Sequence, residues 1–92
     1  MHAMAYTIRS PSELGELLRQ RRENLHLTKK AAAQRAGRVR EVVYRLERGE
    51  EASVSSLFDM MRALNLVMRI EPAGLPTMEE VAAAFNKDDD AP

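Results

Sequence analysis

Between Leu27 and Gly49 the chain carries seven cationic side chains, Lys29, Lys30, Arg35, Arg38, Arg40, Arg45 and Arg48, against two acids, Glu41 and Glu47. Guanidinium and ammonium groups stay charged near neutral pH and meet oxyanions, Arg as a planar two-pronged donor and Lys as a point charge. The wider stretch 19–48 holds ten Lys/Arg and three acids, a balance of +7; the other 62 residues hold four and eleven, a balance of −7. The formal net charge of zero therefore conceals a basic lobe on an otherwise acidic protein. Such a lobe is the footprint of polyanion binding, although charge alone would suit a solvated surface equally well.

Groups suited to catalysis are missing. There is no Gly-rich phosphate loop, no Cys nucleophile, no paired His at metal spacing and no Ser flanked by a base. Neither a catalytic residue nor a metal or cofactor site is expected, and an enzyme is the weakest reading. Without cysteines there are no disulfides, which suits a cytoplasmic protein. No apolar run approaches the ~20 residues of a membrane span, and the first ten residues lack a signal peptide's apolar core. Met4 serves as well as Met1 for a start. His2 lies in a loose end, and His26 is a turn residue with no second ligand near it in sequence.

The elements that must position the cations follow from caps and periodicity. Ser10-Pro11-Ser12-Glu13 opens a helix, with Ser10 as N-cap, Pro11 at the first helical position and Glu13 reaching back. Leu14, Leu17, Leu18 and one of Arg21 or Arg22 then form a stripe, and the helix ends at Asn24 to His26. Thr28 caps a second helix. Its third helical position is Ala31 instead of an acid, so half of a capping box is missing, and its first two positions are Lys29 and Lys30. Cations at the positive end of a helix are unfavourable by roughly 0.3–1 kcal/mol each, a term that reverses if a phosphate abuts that end. A turn at Ala36-Gly37 leads to a third helix, from about Val39 to Glu47, ended by Gly49. Ala32, Ala33, Ala36, Val43 and Leu46 fall where two crossing helices must touch, which is the layout of a helix-turn-helix.

Ser53 caps a fourth helix, with Leu57, Met60, Met61 and Leu64 inward to Asn65; the Met pair is core, since Met fills irregular gaps. Leu66-Val67-Met68-Arg69-Ile70 switches to period two and reads as a strand stopped by Pro72. A lone strand needs a ladder partner. Tyr6-Thr7-Ile8 could supply one, but the same strand of a second copy is favoured, because a groove-reading helix builds a full site by two-fold pairing. Thr77-Met78-Glu79-Glu80 is a capping box for a short last helix with Met78, Val81, Ala82 and Phe85 on one face, too short to be helical alone. Asn86 to Pro92 is acidic and reads as disordered. The organisation expected is an extension over 1–9, a DNA-binding domain over 10–71 with its dimerisation strand at about 66–70, and a tail over 72–92.

Leu18 to Leu66 resembles the Xre/Cro-type helix-turn-helix family, the all-α, lambda-repressor-like fold of phage repressors and many bacterial regulators. The matching residues are Leu27-Thr28, Ala33, Ala36-Gly37, Val43, Leu46-Glu47 and Gly49, in register without a gap. The resemblance implies an ion pair between Arg22 of the first helix and Glu47 at the end of the third. Ser53 to Ile70, a helix running into an apolar strand, and Tyr6 to Pro11 are similar to HipB-type antitoxins. That similarity implies a homodimer that binds a palindromic double-stranded DNA operator, represses its own operon and binds a HipA-type kinase toxin. Two positions depart from the family: Lys29 replaces a frequent Gln, losing the amide's two-way hydrogen bonding, and Val39 stands where a Ser or Thr usually caps the recognition helix.

With Val43 and Leu46 inward, the residues expected to read bases are Arg40, Glu41, Tyr44 and Arg45. Arg40 and Arg45 suit guanine's two acceptors, and Glu41 either accepts from cytosine or pairs with Arg45 at i+4. Tyr44 donates to a phosphate or packs, and Val42 touches a thymine methyl or lies at the core's edge. Thr28, Lys29, Lys30, Arg38 and Arg48 are expected at phosphates. The sequence reads as a DNA-binding repressor of antitoxin type. The alternatives are a free-standing repressor and a protein-binding module with a degenerate helix-turn-helix.

Overall fold

The computed structural model describes residues 6–74 and 77–86; His2 and the acidic end beyond Asn86 lie outside them. Five helices follow in order, α1 Pro11–Asn24, α2 Lys29–Ala36, α3 Arg40–Arg48, α4 Val54–Ala63 and α5 Met78–Asn86. The first four form the packed body, α1 against α3 and α2 against both α3 and α4. Leu18, Val43, Met60 and Leu64 are its most deeply buried large side chains, with Ala32, Ala33, Leu46 and Met61 completing the core. The Met pair is thus core, and the small residues of α2 let neighbouring backbones approach closely.

Side-chain caps start three of these four helices. Ser10 Oγ accepts from the Glu13 N–H at 3.1 Å, and Glu13 reaches back to the Arg9 N–H at 2.7 Å, one residue before the cap. Thr28 Oγ1 accepts from the Ala31 N–H at 3.0 Å, and Ser53 Oγ from the Ser56 N–H at 3.0 Å. Val39 holds the N-cap position of α3 without a side-chain hydrogen bond, and the helix starts and ends one residue later than the expected 39–47.

All four helices end alike. His26, Gly37, Gly49 and Asn65 are left-handed, with φ of 57°, 67°, 74° and 59°. After each, an N–H turns back five residues: Leu27 to Arg22, Arg38 to Ala33, Glu50 to Arg45 and Leu66 to Met61. This double return satisfies carbonyls that a helix end otherwise leaves bare. Leu27 and Leu66 then fold onto the core, the apolar contact that often accompanies this ending. At Gly49 a side chain is doubly excluded, by its φ and by Ser12, whose Cα would lie 2.8 Å from an added Cβ.

The strand expected over Leu66–Ile70 is not formed in the single chain. Neither this segment nor Tyr6–Ile8 is β-structure, and no strand occurs among the described residues. The reason is the absence of a ladder: a lone segment gains nothing from extended pairing without a neighbour to take its N–H and C=O groups. Of the side expected inward only Leu66 packs on the core; Met68 and Ile70 are exposed, as Val67 is. Helix α5 is capped by Thr77, whose Oγ1 accepts from the Glu80 N–H at 3.1 Å, and its Met78 and Phe85 are exposed.

Where α1 crosses α3, Gly15 is fully enclosed. A Cβ there would meet the Glu47 carbonyl oxygen and lie 2.6 Å from that of Leu46, closer than side chains tolerate. Gly15→Ala is therefore expected to destabilise the protein by about 1–3 kcal/mol through overpacking, despite alanine's better helix propensity. Urea denaturation measures it, and a midpoint equal to or above that of the unsubstituted protein contradicts the account.

Candidate nucleic-acid interface

One buried ion pair sets the attitude of α2 and α3. Arg22 Nε donates to Glu47 Oε2 at 2.6 Å and Nη2 to Oε1 at 3.1 Å, while Nη1 donates to the Leu27 carbonyl at 2.8 Å. The side chains are 9% and 4% exposed. All three nitrogens of one guanidinium thus bind the end of α3 and the segment entering α2, both to α1. Its neighbour Arg21 donates from Nε to the Leu64 carbonyl at 2.9 Å, closing α4. The sequence leaves open which of the two arginines turns inward; both hold helix ends, toward different helices, and Arg22 is the buried one.

With Val43 and Leu46 buried, α3 presents Arg40, Glu41, Tyr44, Arg45 and Arg48 outward. At about 100° per residue they span an arc of roughly 140°, the breadth of one groove-facing surface. Val42 packs against the core, the second of its two readings. Glu41 and Arg45 face each other at 3.5 Å and both are exposed, so in the free chain the i+4 pair is made. Such a pair is worth about 0.3–0.5 kcal/mol, little enough to be separated readily. Tyr44 is half-buried, with Lys29 Nζ 4.6 Å and Arg48 Cζ 5.7 Å from its ring centroid.

That ring alters the argument about the start of α2. Lys29 gains about 0.5–1 kcal/mol from an exposed cation–π contact, which offsets its unfavourable place at the helix's positive end. Lys30 has no such relief: among the described residues Lys30, Arg35 and Arg40 have no ion-pair or hydrogen-bond partner. Thr28 uses its oxygen as an acceptor for the cap, which leaves the hydroxyl proton for an outside acceptor. The missing cap at Val39 leaves the first N–H groups of α3 without a side-chain acceptor.

Arg38 stands apart from the other residues expected at phosphates. Its Nε donates to Asp59 Oδ2 at 2.7 Å and its Nη2 lies 3.5 Å from Ser55 Oγ, so it straps the turn before α3 to α4. Asp59 also accepts from Arg62 Nη1 at 3.0 Å. These hydrogen bonds, that of Arg38 first, hold the Asp59 carboxyl below its ordinary range. Arg35, exposed in the last turn of α2 and without a partner among the described residues, is a cation to which the spacing alone assigns no role. Its signal is that no acid lies within five residues on either side.

The last expected group, Leu66, Val67, Met68, Arg69 and Ile70, follows α4 and runs beside it. Leu66, Val67 and Met68 with Phe58, Met61 and Arg62 line a shallow apolar trough, and Phe58, Val67 and Ile70 are exposed. Arg69 is exposed beside them.

Four packed helices with an arginine-rich third helix facing outward define the class of helix-turn-helix domains. The chain belongs to the helix-turn-helix domain family, whose model matches residues 13–69. Among solved structures it is similar in fold to a HipB variant in complex with an O2 20-mer, at 19% identity and a TM-score of 0.72, covering 77% of this chain and 100% of that one. It is also similar to HipB in complex with an O4 20-mer, at 20% identity, TM-score 0.71, and 76% and 100% coverage. A HipA–HipB–O2–O3 complex matches at 18% identity with the same TM-score and coverage. No curated protein matches the chain in sequence. Among the described residues no helix is long and apolar enough to cross a membrane.

Two outcomes follow from the ion pairs. Glu47→Ala leaves the Arg22 guanidinium buried without its carboxylate and is expected to cost about 3–5 kcal/mol; a loss under about 1 kcal/mol in chemical denaturation would show the pair to be incidental. Because the Asp59 pKa is depressed in the folded state, its stabilisation is complete above the ordinary value of about 3.9 and is lost as pH falls through the lowered one. Carboxyl-carbon NMR should place the Asp59 titration below that value, and Arg38→Ala should raise it; an unmoved titration contradicts the strap.

Proposed function

We propose that this protein is a sequence-specific DNA-binding repressor that acts as a homodimer on a palindromic operator of its own operon. In this reading it is the antitoxin of a HipBA-like pair, bound by a HipA-like kinase toxin, acting in the cytoplasm without catalysis of its own. The observation that carries the reading is the outward face of α3, where Arg40 has no partner among the described residues and Arg45 has only a surface acid to release. The fold likeness to HipB in its complexes with 20-mers and with HipA supports it.

Arg40 and Arg45 supply forked donors for guanine O6 and N7, and Glu41 accepts from a cytosine amino group once its pair with Arg45 opens. Thr28, Lys29, Lys30 and Arg48 meet phosphates and set the register, and Arg35 adds a further free charge. Arg38 acts from within, keeping the turn against α4. A second copy covers the bare apolar residues Phe58, Val67, Met68 and Ile70, and pairing of the 66–70 segments gives each its missing ladder. Two-fold symmetry then presents two α3 helices to half-sites one helical turn apart, roughly 34 Å.

Salt dependence of binding to a duplex taken from upstream of its own gene tests the reading. Each phosphate neutralised contributes a log–log slope of about −0.9, so a slope of several units is expected. Lys30→Ala should weaken all duplexes alike and flatten the slope by about one unit, whereas Arg40→Ala should erode the preference for the operator over a scrambled duplex. A flat salt response combined with tight binding to the product of the adjacent gene would sink the repressor and leave a protein-binding module.

A further inference from the structure

Tyr44 sits in the middle of the outward arc of α3, where a base-reading residue would be looked for, yet its surroundings are unusual for one. Two cations from different helices come to its ring. Lys29, the first residue of α2, places Nζ 4.6 Å from the centroid, and Arg48, the last residue of α3, places Cζ at 5.7 Å. Both lie within the reach at which a ring's negative face attracts a cation. Like charges brought to one place repel, and the nearest acid to Arg48, Glu50, stands 3.9 Å away. The ring is the common element that keeps the two cations together, and it is half-buried, so it cannot itself swing toward solvent without losing packing. The hydroxyl makes no hydrogen bond among the described residues.

We propose that Tyr44 is a positioning residue: its ring gathers Lys29 and Arg48 into a two-cation clamp for the DNA backbone beside the groove that α3 enters. The inference rests on the DNA-binding reading above and refines it, since it removes Tyr44 from base readout. It also accounts for Lys at the start of α2. A long aliphatic stem with a point charge can lie across a ring and still offer its remaining donors to a phosphate oxygen. Arg48, two-thirds exposed and only loosely paired with Glu50 at 3.9 Å, can offer its guanidinium in the same way. Pre-placing the two side chains lowers the ordering cost of binding, so the ring's effect appears in affinity for any duplex and not in discrimination between duplexes.

The test uses the full chain with two 20-base-pair probes, one from upstream of its own gene and one scrambled. Tyr44→Leu keeps apolar bulk but removes the π face. It should weaken both probes by a similar factor, about five- to twenty-fold, and flatten the log–log salt slope by one to two units, in line with about 0.9 per phosphate contact. Tyr44→Phe, which lacks only the hydroxyl, should restore slope and affinity. Lys29→Ala should cost less in the Tyr44→Leu background than in the unsubstituted protein. In the free protein the Lys29 side-chain protons should be ring-shifted upfield, in Tyr44→Phe as well but not in Tyr44→Leu, a readout that stands even if DNA binding fails. The proposal is overturned if Tyr44→Phe loses as much as Tyr44→Leu, which makes the hydroxyl the working group. It is equally overturned if Tyr44→Leu alters probe preference at an unchanged slope, or changes nothing. If the unsubstituted protein binds neither probe, the DNA reading itself has failed; if it binds with a steep slope that Tyr44→Leu leaves intact, only the clamp has.

Discussion

A single guanidinium, that of Arg22, settles where α3 points. It is enclosed with the Glu47 carboxylate, and its third nitrogen holds the Leu27 carbonyl. Burying an ion pair is not a strong source of stability, because desolvation opposes the attraction. What the pair supplies is direction. A salt bridge with two matched hydrogen bonds has one good geometry, whereas apolar contacts between α1 and α3 would tolerate sliding. Gly15 makes the same crossing possible by contributing no side chain where the carbonyls of Leu46 and Glu47 come closest. Together they bring α3 against α1 at the depth and rotation that leave Arg40, Tyr44 and Arg45 outside.

The basic lobe divides into two kinds of cation. Arg19, Arg21, Arg22 and Arg38 are committed to the protein: Arg19 to Glu16 and Glu23, Arg21 and Arg22 to helix ends and Glu47, Arg38 to Asp59. Among the described residues Lys30, Arg35 and Arg40 have no ion-pair or hydrogen-bond partner, and Arg45 and Arg48 are only loosely paired. The charge excess that points to a polyanion is therefore smaller in effect than in count. It is concentrated on α2 and α3, with no strong internal partner to release before a phosphate or base can be met. The apolar residues after α4, Val67 and Ile70 above all, are bare and belong to a surface distinct from these cations.

Local chemistry made the four-helix body legible in the sequence. Ser10, Thr28 and Ser53 cap as their positions predict, Gly37 and Gly49 close α2 and α3, and the apolar spacing of Ala32, Ala33, Val43, Leu46, Met60 and Met61 matches the core. His26 and Asn65 are less legible as left-handed closures, because neither has glycine's freedom; each is stabilised by the Leu that follows and packs inward. The period-two run at 66–70 was legible as a pattern but not as a structure, since a strand is a relation between two segments.

The order of elements, the outward-facing set on α3 and the excess of cations around it were decided by the sequence, because caps and helical period act within a few residues. Which of those cations remain available was decided only by tertiary structure, because it depends on acids and carbonyls tens of residues away. Arg38 finds Asp59 on α4, Arg21 finds Leu64 at its end, and the ring of Tyr44 finds Lys29 on α2. No spacing rule along one helix reports such meetings. They exist only once the helices have been brought together and each long side chain settles on the nearest group that can satisfy it.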